Sequence, residues 1–190
     1  AGGSGSASRP RNKGLELTRT PYVTYLDPDN EQTNDGFALL LEMVEEHGYD
    51  FAIGNMMRFK HNRIMVKNAG ILRPVVGEEG VLEDDALSRV KFQPMSIQAL
   101  VADTQWLKSL GIYQPIGAVG QDSYFFQQML FHAHRIGLTS TPIHTYYAAV
   151  TNSTVNAIGP RFYEKYLPLE EDRSAWLREV GLLEDYNAKR

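Results

Sequence analysis

Asp27 and Asp29 stand one residue apart at the end of an apolar, β-branched and aromatic run, Tyr22-Val23-Thr24-Tyr25-Leu26. Residues 21 to 26 have the composition of a buried strand, and Pro28 ends it because proline cannot donate to a sheet ladder. The two acids are therefore expected at a strand's carboxyl edge. In open α/β sheets ligands bind at that edge, and two carboxylates so placed can hold a hard divalent cation and, through it, phosphate oxygens. The competing reading of the pair is a turn in which Asp-Pro and Asp-Asn cap the local backbone.

Upstream, Arg11 and Lys13 fall in the first turn of a short helix expected from Arg9 to about Thr18. Cations at a helix N-terminus oppose the macrodipole, so an anionic ligand accounts for them better than helix stability does. Solvated surface charge is the plainer alternative. Residues 1–8, rich in Gly and Ser, read as a flexible segment or linker, or as a small-residue loop facing phosphate.

The elements that must position these groups follow from periodicity. Phe37, Leu40, Leu41 and Val44 form the apolar stripe of an amphipathic helix, with Thr33 or Asn34 to cap its start and Gly48 its end. Residues 50–56 and 57–66 read as two strands joined by a polar Lys60-His61-Asn62-Arg63 turn, and 97–102 as another. Asp103 or Thr104 caps a helix from Gln105 to Leu110. An aromatic helix is expected from Tyr124 to Ile136, stopped by Gly137, then an extended segment from Leu138 to Val150 and a polar turn at 151–154. Residues 67 to 95 give no clear pattern, and the acids Glu78, Glu79, Glu83, Asp84 and Asp85 within them read as a solvated loop face. From Gly159 to Arg190 the pattern predicts two or three short helices, with a break at Pro168.

Composition bounds the function classes. A chain of 190 residues, 43% hydrophobic and 22% charged, suits one globular domain. With no Cys there is no disulfide, thiolate metal site or cysteine nucleophile, which fits a reducing compartment. The net charge of -4 and the lack of a long basic block argue against a nucleic-acid partner. No apolar run approaches the roughly eighteen residues of a membrane span, and no signal-peptide pattern opens the chain. A cytoplasmic protein is expected, at most peripheral to a membrane.

The order of the signals is distinctive. Arg11-Asn12-x-Gly14-Leu15, a strand ending Leu26-Asp27-x-Asp29, a helix, a strand, a long variable middle, Gly120-x-Asp122 opening a helix, and Tyr146-Tyr147 followed by Asn152-Ser153 together resemble the family 2 glycosyltransferases of the GT-A fold. The resemblance runs over nearly all of residues 9 to 156. It implies an α/β fold of GT-A type, a Rossmann-like mixed sheet flanked by helices. The glycosyltransferase domain would occupy 9–158, with 159–190 as a helical extension.

It also implies an inverting, metal-dependent transferase. One sugar would move from a nucleoside diphosphate sugar, a UDP-sugar, to a hydroxyl of a saccharide, lipid-linked or protein acceptor, with Mn2+ or Mg2+ as cofactor. Asp27 matches the acid near the ribose and metal, and Asp29 the acid that ligates the ion. Arg11 and Asn12 match the segment bordering the donor pocket. Asp122 matches the general base, although an Asp ahead of a helix is also a favoured N-cap. His144, on an expected strand, is a further candidate metal ligand, or else a satisfied, partly buried histidine.

The departures shape the expectation. The family's amino-terminal, base-binding part has no counterpart here, so a second chain or a preceding segment would complete the donor site. The usual Glu-Asp pair is Gln121-Asp122, and the Gln-x-x-Arg-Trp segment of processive synthases is missing, which favours addition of a single sugar. Two rivals remain: a non-catalytic sugar- or protein-binding module on the same fold, and a Mg2+-dependent phosphatase of the haloacid dehalogenase type. The latter is disfavoured because Glu31 stands where that family has Thr or Val.

Overall fold

The computed structural model describes residues 6–60, 63–67, 79–93, 96–147 and 159–189. The Gly/Ser residues 1–5, His61 and Asn62 of the hairpin turn, Glu78, and the polar turn at 151–154 lie outside the described residues. The chain runs α1 (Ser8–Leu17), β1 (Tyr22–Val23), β2 (Glu31–Gln32), α2 (Gly36–His47), β3 (Phe51–Lys60), β4 (Arg63–Lys67), β5 (Glu79–Glu83) and α3 (Ala86–Arg89). A 3-10 turn (Ile97–Ala99) leads into β6 (Leu100–Asp103), followed by α4 (Thr104–Ser109), α5 (Gln121–His132), β7 (Arg135–Tyr147), α6 (Pro160–Glu179) and α7 (Leu183–Lys189).

The strands form one mixed sheet in the order β1-β6-β3-β7-β2, with β4 beside β3 and β5 beside β7. β3 and β7 run parallel and the other pairings are antiparallel. Side-chain alternation along β7 separates two cores. Ile136 and Leu138 pack with Phe51, Ile53, Leu100 and the α5 residues Phe125, Phe126 and Met129. Ile143 packs on the opposite face with Leu40, Met43 and Val44 of α2. Leu177 and Tyr186 of the carboxyl-terminal helices join the first of these cores. No helix among the described residues is long and apolar enough to cross a membrane.

Several elements differ from expectation for identifiable reasons. The strand expected over 21–26 pairs only at Tyr22 and Val23; beyond them the Thr24 hydroxyl donates to the Leu100 carbonyl at 2.6 Å. α2 is not capped by Thr33 or Asn34. Asn34 and Asp35 are both left-handed, while the Thr33 hydroxyl is bound to that of Thr145 at 2.7 Å. The first strand does not stop at Met56 but continues to Lys60 through an irregularity near Asn55, whose amide reaches the Ser140 carbonyl.

Gly137 does not stop a helix. α5 ends at His132, and Gly137 lies inside β7, opposite Ala52 and Val81, where a Cβ would sit 2.5 Å from the Tyr49 ring. α6 runs unbroken through Pro168, since burial of Leu169, Glu170, Arg173 and Leu177 along one face outweighs one lost helical hydrogen bond. The expected surface character of the 83–85 acids is seen, with Asp84 pairing exposed His134 and Glu83 facing Arg135.

Gly36 shows how tightly α2 is seated on the strand that carries His144. A Cβ at Gly36 would lie 2.6 Å from the Cα of Ile143 and overlap its side chain. Gly36→Ala should therefore destabilise the fold by about 1–3 kcal/mol, as overpacking against backbone does. A lowered urea midpoint with an unchanged slope would confirm it.

Candidate active site

The chain leaves β1, crosses the end of the sheet, and enters β2 beside β7. Midway, Asp27-Pro28-Asp29-Asn30 forms a β-turn closed by the Asn30 N–H on the Asp27 carbonyl at 3.0 Å. Pro28 presets the first central residue, and Asp29 stands exposed at the tip. The acids are thus on a turn, as the competing reading held, yet the Asp27 side chain does not cap that turn's backbone. Its two oxygens receive Nη2 of Arg11 at 2.6 and 2.7 Å, and Oδ2 also accepts Nε2 of Gln98 at 3.0 Å.

The helix expected to present cations to a ligand spends them within the chain. Arg11 binds Asp27 and donates Nη1 to Gln114 Oε1 at 3.3 Å, and Lys13 pairs with Glu16 in solvent. Asn12 uses both ends of its amide on the backbone of Gln114, at 2.8 and 2.9 Å. Ser8, grouped with the Gly/Ser segment by composition, is buried in α1 and donates to the Pro115 carbonyl at 2.8 Å. Arg11 and Asn12 therefore anchor the acidic turn and the 113–117 loop to α1. Nearby Tyr25 is buried, which pushes its hydroxyl up to about 12 against the pull of Arg11.

His144 is more deeply buried than the partly buried histidine expected. It is fully buried, and neither Nδ1 nor Nε2 has a hydrogen-bond partner among the described residues. Burial lowers its pKa, with Asp27 and Asp29 pulling the other way, so the imidazole is held neutral in the field of both acids. A buried ring whose two nitrogens have no partner among the described residues is suited to take a bound water or an ion. The strand register puts it opposite Gln32 and Met56, and its neighbour Ile143 packs on the α2 face, so His144 turns to the opposite, α5 face.

Asp122 approaches from that same face. α5 feeds directly into the start of β7, so its N-terminus points toward the end of the sheet where β7 finishes. Tyr25, two residues before Asp27, packs edge-on against Phe125, three residues after Asp122, with ring centroids 6.3 Å apart. Gly120, left-handed at φ +83, occupies the cap position, so Asp122 is not the N-cap; its Oδ1 accepts only the neighbouring Ser123 N–H (3.0 Å) among the described residues.

A divalent ion has a plausible but partial set of ligands. Asp29 offers an exposed carboxylate, suited to Mn2+ or Mg2+, and His144 an imidazole with no partner among the described residues, a donor that favours transition metals over Mg2+. Asp27 fits less well because Arg11 and Gln98 already occupy its oxygens. No group of three His, Asp or Glu side chains among the described residues forms a ready-made cage. Sites that hold Mg2+ by one or two side chains plus substrate phosphates have this character.

Residues 5–72 match the sequence pattern of the family described as glycosyl transferase family 2. That match takes in Arg11, Asn12, Asp27 and Asp29 but stops before Gln98, Asp122 and His144. The fold is similar to Staphylococcus aureus TarS. For TarS 1-349 in complex with UDP-GlcNAc the TM-score is 0.72 at 18% identity, covering 97% of this chain and 53% of that one. For TarS 1-349 alone it is 0.67 at 18%, covering 98% and 51%. For TarS it is 0.60 at 23%, covering 85% and 26%. The chain therefore spans about half of TarS 1-349. No curated protein matches it by sequence. Residues 5–72 are thus similar to glycosyl transferase family 2, in a chain whose fold is of the GT-A type.

Proposed function

We propose that this chain is the part of a glycosyltransferase that grips the diphosphate of a nucleoside diphosphate sugar and supplies the base for transfer. What supports the reading is that Asp27 and Asp29 act electrostatically on buried His144, and that Tyr25, two residues before Asp27, packs on Phe125 of the helix that bears Asp122. Complexes of the similar TarS 1-349 with UDP-GlcNAc and with UDP support a uridine nucleotide as donor.

In this reading Asp122 accepts the proton of the acceptor hydroxyl as that oxygen attacks the anomeric carbon. The new C–O bond forms while the bond from that carbon to the diphosphate breaks, and the nucleoside diphosphate leaves with the electron pair. One base and no covalent intermediate give inversion of configuration. Asp29 and His144 would hold a divalent ion, Mn2+ or Mg2+, which supplies positive charge where the departing oxygen becomes negative. Arg11 and Gln98 hold Asp27, and through it the turn that presents Asp29.

Asp29→Ala should abolish Mn2+-dependent binding of a UDP-sugar. Thermal stabilisation by donor plus Mn2+ checks this, since a ligand at a hundred times its Kd adds about 2.7 kcal/mol. Unchanged stabilisation removes Asp29 from the site. Product of retained anomeric configuration would exclude direct displacement.

A further inference from the structure

We infer that Gln98 is a positioning residue, the amide that fixes where Asp29 stands relative to His144; the inference rests on the donor-binding role proposed for the acidic turn. Between β1 and β2 the chain crosses the sheet end without ladder partners, so side chains must hold it. Gln98 does so at both ends of the turn. Its Oε1 accepts the Asp27 N–H at 2.8 Å and Asn30 Nδ2 at 3.1 Å, and its Nε2 donates to Asp27 Oδ2 at 3.0 Å. Asp29 projects between the two gripped residues.

The tether is itself rigid. Gln98 is 8% exposed, in a 3-10 turn flanked by buried Ile97 and Ala99, and its N–H is taken by Ser96 Oγ at 3.2 Å. Asn30 extends the network by accepting the Tyr147 N–H at 3.3 Å, three residues beyond His144. The turn is thus joined to the β7 end by Asn30, whose amide is held in turn by Gln98. Glutamine is the side chain that suits this place, because it offers an acceptor to two donors and a donor to a carboxylate at once. A carboxylate would face Asp27 with like charge, and an aliphatic side chain would strand all three partners.

The test uses the full chain and two substitutions, Gln98→Leu and Gln98→Glu. Gln98→Leu should speed amide exchange at Asp27 and Asn30 about tenfold or more, the scale of one or two lost hydrogen bonds, and raise the donor KM by a similar factor with kcat much less affected. Gln98→Glu retains both accepted bonds but sets a carboxylate against Asp27 Oδ2, so its turn should exchange faster than the parent's, by less than in Gln98→Leu. Wild-type exchange and donor KM in Gln98→Leu overturn the inference, as does parent-like exchange in Gln98→Glu. Should the unsubstituted chain turn over no UDP-sugar, the donor reading falls; the exchange rates still decide whether Gln98 holds the turn.

Discussion

Asp122→Asn should lower sugar transfer by about 10²- to 10⁴-fold while leaving donor binding unchanged, the range expected when a general base is removed. The structure separates this outcome from a loss of helix stability. The α5 cap is Gly120, and the Asp122 carboxylate adds one local contact to Ser123 plus a favourable interaction with the helix dipole. Together these contribute about 1 kcal/mol or less. In a chain of this length that is a fall in Tm of about 2–4 °C. Single-turnover transfer measured beside a melting curve therefore distinguishes the two roles: a large kinetic defect with a small thermal one assigns the base. Near-normal turnover would leave Asp122 as a helix-end charge and move the search for a base elsewhere.

What the sequence made legible was whatever has a local rule. The α2 stripe and its Gly48 terminus, and the Asp103 side chain capping α4 through the Trp106 N–H at 2.7 Å, followed from periodicity and capping chemistry. The mixed α/β sheet is what the family resemblance implied. Features decided by long-range packing were not legible. Gly137 lies in a strand, covered by Tyr49 from far away in sequence, and α6 survives Pro168 because its buried face holds it.

The candidate site divides the same way. Asp27, Asp29, Asp122 and His144 stand out by type and position, but the sequence could not say that Asp27 would be taken by Arg11, or that neither His144 nitrogen would have a partner among the described residues. Gln98 and Gln114 escaped notice because glutamine follows no spacing rule. Their importance comes from partners 71 and 102 positions away in the chain. A buried glutamine next to a 3-10 turn is a signal only once burial is known.

The largest expected change in stability comes from Glu170→Leu. Glu170 and Arg173 form a buried i,i+3 ion pair on α6, with 11% and 7% of their side chains exposed. The Arg173 guanidinium also lies over the Tyr124 ring at 5.7 Å and donates to the Tyr186 hydroxyl at 3.4 Å. It therefore joins α6 to α7 and to the first turn of α5, two residues after Asp122. Removing the carboxylate leaves a guanidinium in a poorly solvated place without its counter-charge, which costs about 3–5 kcal/mol. At roughly 2–4 °C per kcal/mol for a chain of this size, Tm should fall by about 6–20 °C. The double substitution Glu170→Leu with Arg173→Leu should recover most of that loss, because an apolar pair of similar volume often replaces a buried ion pair at little cost. Recovery in the double variant identifies the uncompensated charge as the cause. If the double variant is as unstable as the single one, packing around Tyr124 and Tyr186 dominates, and the cation over the Tyr124 ring is what steadies the helix end that carries Asp122.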